Sequence, residues 1–284
     1  GDLSSFQPLF PNLPIGGSLK GCGEKRGEAF QLDLSLTSFY AGPFEAKELI
    51  LSKELEGLSR LDLSEARWKK LFLQCASFAL TRDSLFTLFA KGGYPTPFSL
   101  EAEGAWEGNF DTFVATLNTL DGTVGEYPLH LINPVSLSQA PHLTLLTPLS
   151  LELGKGEIAL SLQRGELEGS CHLSLQEFPL ELAGSPFTGR GELTLDLAEK
   201  RGQPLEGTFQ GTFRGSVDGC EPLAASGRME GSLGRGRAHT QATLFLKEAK
   251  WFEVDLTLPL ELSLLSPHAD LSFDRPLDGS FFCD

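Results

Sequence analysis

Tryptophan and tyrosine are scarce in this 284-residue chain, three of each, and methionine occurs once. Basic residues are outnumbered, 23 Lys and Arg against 38 Asp and Glu, which sets the formal charge at -15. This charge argues against nucleic acid as a partner, because its phosphates repel such a surface and release no counterions to it. The same charge disfavours simple adsorption on anionic lipid. No apolar run approaches the roughly 20 residues that span a bilayer as a helix, and the N-terminus carries no basic and apolar leader pattern. A transmembrane barrel wants girdles of Trp and Tyr and strands of about 9 to 11 residues, whereas many alternating segments here read as only about five to seven.

Chemistry-bearing motifs are also sparse. Cys22, Cys75, Cys171, Cys220 and Cys283 show no metal-ligand spacing, and Cys171 shares parity with leucines, as a small buried hydrophobe would. An odd count leaves at least one thiol free or intermolecular. His130, His142, His172, His239 and His268 are scattered without a nucleophile or carboxylate at a recognisable spacing; each reads as a solvated imidazole. Gly154-Lys155-Gly156 lacks the spacing and following helix of a phosphate loop, and Gly231 to Arg237 reads as a hairpin turn with two exposed arginines. The expectation is a protein without catalysis, cofactor or metal.

What is abundant is alternation. Leu, Phe, Ile and Val recur at every second position, in runs such as Phe30-Leu32-Leu34-Leu36, Leu149-Leu151-Leu153, Ile158-Leu160-Leu162 and Leu193-Leu195-Leu197. The longest is Phe252, Val254, Leu256, Leu258, Leu260, Leu262 and Leu264, read as one strand. Successive strand side chains point to opposite faces, so one face is apolar and one wet. Short Gly, Pro and Asp-Gly connections leave no room for crossover helices, which predicts an all-β antiparallel meander of about fifteen to eighteen strands with at most short helical turns. An open sheet that wide normally curls.

Along the chain, Asp2 can cap a helical turn over residues 3–7, and 53–70 has the weakest alternation, suiting a short helix or irregular crossing. Leu71-Leu73-Cys75 followed by Phe78-Leu80 switches parity, which points to a bulge or a turn. Pro128, Pro134, Pro141 and Pro148 mark edges and bends. Gly207, Gly211 and Gly215 fall on the apolar parity beside Phe209 and Phe213 and predict strong curvature there. The whole of 1–284 reads as one elongated β-repeat segment of a larger protein, with a bend or sub-boundary within 127–148.

A series of motifs runs in order along the chain, beginning with Gly1-Asp2-Leu3-Ser4 and Leu13-Pro14-Ile15-Gly16-Gly17-Ser18-Leu19. Gly104-Ala105-Trp106, Leu120-Asp121-Gly122-Thr123, Tyr127-Pro128-Leu129 and Asn133-Pro134-Val135 follow. Phe178-Pro179-Leu180, Pro204-Leu205-Glu206-Gly207-Thr208-Phe209 and Arg275-Pro276-Leu277-Asp278-Gly279-Ser280-Phe281 complete the series. In this order the motifs resemble the TamB family of AsmA-like envelope proteins. Five cysteines and the 53–70 stretch depart from that family's pattern.

The resemblance implies a taco-like open trough in the periplasm, part of a protein anchored in the inner membrane of a diderm bacterium, that carries phospholipid acyl chains between the two membranes. It also implies a link to outer-membrane protein assembly, with an outer-membrane barrel as a partner through parts outside this chain. An acyl chain in water costs about 0.8 kcal/mol per methylene, roughly 13 kcal/mol for sixteen carbons, and a continuous apolar path removes most of that. The lining expected on this reading is Leu149, Leu151, Leu153, Ile158, Leu160, Leu162, Leu193, Leu195, Leu197, Phe209, Phe213 and the run Phe252, Val254, Leu256, Leu258, Leu260, Leu262 and Leu264. The competing expectation is an adhesin or passenger-like binding module with a closed core; a solenoid version would need a repeat of roughly 20 to 30 residues, and none is found.

Overall fold

Alternating apolar and polar side chains satisfy a strand twice, once through the backbone ladder and once through a single greasy face. The computed structural model describes residues 14–26, 29–54, 57–93, 96–109, 111–141, 143–183, 187–217, 223–259, 261–265, 269–270 and 278–283. These form an all-β antiparallel meander. Its one helical element among the described residues is a 3-10 turn at Leu180–Ala183. The chain packs as two compact units, Gly1–Glu107 with Ala115–His130, and Gly108–Val114 with Leu131–Asp284. The expected helical turn over 3–7 lies outside the described residues.

The first unit is built from β1 (Ile15–Arg26), β2 (Ala29–Ala41), β3 (Phe44–Lys53), β4 (Ser59–Trp68), β5 (Leu71–Leu80), β6 (Leu85–Gly93) and most of β7 (Pro97–Gly108), β8 (Phe113–Val124) and β9 (Tyr127–Leu131). From β1 to β7 each strand pairs antiparallel with the next, and β8 pairs with β9.

The stretch expected as a helix or irregular crossing is therefore corrected: its second half is strand β4. Its alternation was masked by a change of phase, from Leu61 and Leu63 to Ala66 and Trp68, across Glu65, whose φ is 45°. Pairing lapses at the same level in the neighbouring strands, at Ser38 of β2, Lys47 of β3 and Gln74 of β5. A one-residue slip in one strand would turn its apolar set to water; four aligned slips keep the sets together. The parity switch in β5 is part of this stack, and β6 absorbs it by a register shift between Leu73 and Cys75. Lys47 and Glu65 pair across the stack at 2.5 Å, and that carboxylate raises the Lys47 pKa.

The second unit continues with β10 (Val135–Ala140), β11 (Leu143–Leu153), β12 (Gly156–Arg164), β13 (Glu168–Pro179), β14 (Phe187–Lys200), β15 (Glu206–Val217), β16 (Leu223–Gly234), β17 (Arg237–Leu246) and β18 (Ala249–Pro259). Each pairs antiparallel with the next. The short β19 (Glu261–Leu262) pairs with β20 (Ala269–Asp270), and β21 (Asp278–Cys283) adds outside β18. Pro148 falls in the register shift between Leu146 and Leu149, where a ladder donor is not required. Arg235 and Gly236, both at positive φ, make the tight β16–β17 turn.

Two further expectations are corrected. The run Phe252 to Leu264 is not one strand: β18 stops at Pro259, which is opposite Arg237, the first residue of β17, so no ladder partner remains beyond it. Most strands are also longer than the expected five to seven residues; β4 has 10, β13 has 12 and β14 has 14. Alternation in the sequence fades at strand ends, where glycine and polar residues replace leucine, although the backbone ladder continues. Strand length therefore gives no argument against a barrel.

Among the described residues five of the buried apolar side chains are alanines; the larger ones include Leu129, Val135, Leu153, Leu205 and Pro179. A sandwich seals its leucines and phenylalanines between two layers.

Candidate functional site

Residues directly opposite in a ladder project to the same face, so the registers show what the meander brings together. In the second unit three apolar rows cross eight strands, β11 to β18. The first is Leu151, Ile158, Leu175, Leu193, Gly211, Met229, Ala242 and Val254. The second is Leu149, Leu160, Leu173, Leu195, Phe209, Gly231, Thr240 and Leu256, and the third Leu146, Leu162, Cys171, Leu197, Gly207, Leu233, Ala238 and Leu258. Residues distant in sequence thus form one apolar field. Of these side chains Ala238 alone is buried, Met229 is exposed, and the rest are half-buried.

The remaining expected residues sit beside or outside these rows. Leu153 is buried opposite Gly156, next to the first row. Phe213 is in register with Gly191 and Gly227, and Phe252 with Leu244, extending the field by a partial fourth row. Leu260 and the side chain of Leu262 lie outside what is described. Leu264 is in no strand.

The field changes texture from β14 to β15. Phe209 and Phe213 alternate with Gly207, Gly211 and Gly215, and their rings lie over the glycines of the next strand. A methyl built on Gly227 would meet Phe213 Cε1 at 2.2 Å, and one on Gly231 would meet Phe209 Cζ at 2.3 Å. The rings occupy the volume these two side chains would need, which makes a thin floor beside the leucine-rich strands. Both ladders of β15 run without a register break, so the glycines serve this close approach without interrupting the pairing.

One margin of the field carries a strap. Beyond β18 the chain crosses to β14 and β13, where a methyl on Gly169 would lie 3.1 Å from Leu264 Cβ and 3.3 Å from Leu265 Cδ2. Gly169 is on the parity of Cys171 and Leu173, so the strap lies on the apolar side. Glu199, in register with Gly169, holds it. The carboxylate accepts the Ser263 hydroxyl at 2.9 and 3.0 Å, and the amides of Leu264 and Leu265 at 2.5 and 3.2 Å. Arg164 Nη2 donates to the Leu265 carbonyl at 3.0 Å. From Pro259 to Leu264 extended chain covers at most about 18 Å, whereas five interstrand gaps of a flat sheet measure about 24 Å. The sheet therefore bends toward its apolar face along this margin.

The opposite face is polar. Crevices of about 430 and 400 Å³ open between its side chains, the first beside Arg228, Glu230, Gln241 and Asp255, the second beside Asp196, Gln210, Ser232 and His239. The described histidines are not isolated from carboxylates as their spacing implied. His172 Nδ1 lies 2.6 Å from Asp196 and His130 Nδ1 lies 2.6 Å from Asp121, both through cross-strand pairing and both exposed. No group of three or more metal-ligating side chains forms among the described residues.

Comparison with protein-family models, with curated proteins and with solved structures found no match.

Burial raises the pKa of Cys171, in the third row, above the ordinary thiol range, as expected for a group set among leucines. Sequence reading missed a comparable apolar field in the first unit. Leu34, Leu51, Leu61, Phe78, Leu88 and Ala102 are in register there, beside Leu36, Leu49, Leu63, Ala76, Ala90 and Leu100. The aligned phase switches concealed it. Glu199 was missed because its partners are more than sixty residues away.

Proposed function

We propose that the apolar field of β11 to β18 carries the acyl chains of phospholipid, as a non-enzymatic segment of a TamB-like, AsmA-related conduit between the inner and outer membranes of a diderm bacterium. The observation that carries this reading is that three rows, apolar except at Thr240, cross eight strands and remain half-exposed apart from buried Ala238 and exposed Met229. Packing these leucines under a second layer would recover about 25 cal/mol for each Å² removed from water, and they remain half-exposed. A guest chain supplies the missing contacts. It needs no specific hydrogen bond, which suits a surface of Leu, Phe, Gly and Ala. The acidic, polar opposite face keeps the sheet in water. The strap, parallel to the rows, gives the field a raised rim on one side.

The half-exposed rows also favour this reading over a closed-core adhesin module, whose inner side chains would be sealed. Lipid extraction and native mass spectrometry of the protein purified without detergent test it. Co-purified diacyl phospholipid is expected, and its loss on joint substitution Leu195→Asp and Leu256→Asp; lipid-free protein, or undiminished lipid in that variant, overturns it.

A further inference from the structure

At one hairpin end of the first unit the division into an apolar and a polar face breaks down. The last two rows there are Ala41, Phe44, Trp68 and Leu71, and, on the opposite side, Tyr40, Glu45, Arg67 and Phe72. Aromatic side chains thus stand on both faces. Trp68 is 55% exposed, Tyr40 42% and Phe72 37%. The β4–β5 turn between these strands is Lys69-Lys70, both exposed, and it is tied to the β2–β3 turn by the Lys69 amide donating to the Pro43 carbonyl at 3.5 Å. Lys69 Nζ lies 5.9 Å from the Trp68 ring centre and Arg67 Cζ 5.6 Å from that of Phe72. Among the described residues of these two rows and the β4–β5 turn, Arg67, Lys69 and Lys70 are basic and Glu45 is acidic, in a chain whose overall charge is -15.

We infer that this aromatic and basic hairpin end, centred on Trp68 and Lys69, docks end-on into the interface of an anionic lipid bilayer. Amphipathic rings and long cationic side chains are the residues that settle at the headgroup level. The acidity of the chain opposes adsorption side-on, and in the last two rows of the tip it is represented by Glu45. Charges are screened within about 8 to 10 Å at physiological salt, and a ten-residue strand such as β4 extends about 33 Å, so the carboxylates at the far end of these strands lie outside that range when the strands stand upright. An aqueous protein partner would not call for exposed rings on both sides of the sheet together with a surplus of positive charge at its apex. The inference uses residues outside the β11 to β18 field and stands or falls independently of the conduit reading.

The test is flotation of the purified protein with phosphatidylcholine vesicles and with vesicles containing about 30% phosphatidylglycerol. It is accompanied by quenching of tryptophan emission with brominated acyl chains. Binding to the anionic vesicles at least tenfold above the neutral ones is expected, weakened by added salt. Lys69→Glu with Lys70→Glu should lower it at least tenfold while leaving circular dichroism unchanged. Trp68→Phe should remove most of the bromine quenching, since Trp106 and Trp251 are remote from this turn in sequence. Equal binding to both vesicle types, full retention in the charge-reversed protein, or quenching that survives Trp68→Phe overturns the inference. So does a Trp68-dependent dimer in sedimentation with no flotation.

Discussion

The carboxylate of Glu199 accepts the hydroxyl of Ser263 at 2.9 and 3.0 Å, joining the end of β14 to a strap that starts from β18, four strands away. With the two backbone amides it also accepts, it fixes the rim of the apolar field. Glu199→Ala removes these bonds and should cost about 1 to 3 kcal/mol. Hydrogen exchange read by mass spectrometry should show faster exchange at Leu264 and Leu265 with β11 to β17 unchanged. Unaltered protection of those two amides would mean that the strap is held by packing alone.

Gly227 and Phe213 are coupled by the same logic of shared volume. Gly227→Ala places a methyl against the ring and should destabilise the protein by about 1 to 3 kcal/mol. Phe213→Leu in the same molecule should return part of that loss, a non-additivity of about 1 kcal/mol in a double-mutant cycle read by urea denaturation. Gly231→Ala is not rescued in this way by Phe209→Leu, because its methyl also meets the backbone carbonyl of His239.

The half-exposed state of the rows has a thermodynamic signature. Leu→Ala in a sealed core costs about 2 to 5 kcal/mol. In an open lining part of the side chain is already hydrated, and Leu160→Ala, Leu195→Ala or Leu256→Ala should each cost about 1 to 1.5 kcal/mol. Leu153→Ala, at a position only 3% exposed, should cost more than any of them. Chemical denaturation of the four variants decides; equal and large losses would indicate a covered core.

Cys171 reports on occupancy without engineering. Its raised pKa means less thiolate at neutral pH than an ordinary thiol holds, so alkylation should be slow at pH 7 and accelerate as pH rises through and beyond the usual thiol range. Exposed Cys22 should react first. Added phospholipid should slow Cys171 further and leave Cys22 unaffected, as followed by peptide mass spectrometry.

Much of this fold was legible because period-two alternation is a local signal that each strand carries by itself. Leu193-Leu195-Leu197 points to one face whatever its partners. Two features were illegible for physical reasons. β4 was hidden by the phase change at Glu65, which only makes sense once Ser38, Lys47 and Gln74 are seen at the same level. The end of β18 at Pro259 depends on where β17 begins, a fact of pairing and not of the segment itself. In the site, Leu149, Ile158 and Leu195 were identifiable as lying on the apolar face of their strands, but their union into rows needed the registers. The Glu199–Ser263 contact and the His172–Asp196 pair are side-chain meetings across strands, with no periodic trace in the chain.

The most direct measurement places a photoreactive amino acid at single positions of β12, β14 and β18 in cells of a diderm bacterium, followed by irradiation and mass analysis of the purified protein. Adducts with phospholipid are predicted at positions 160, 195 and 256, on the apolar rows, and not at their neighbours 161, 194 and 255 on the polar face. Adducts spread equally over both faces, or none at 160, 195 and 256, would contradict the account.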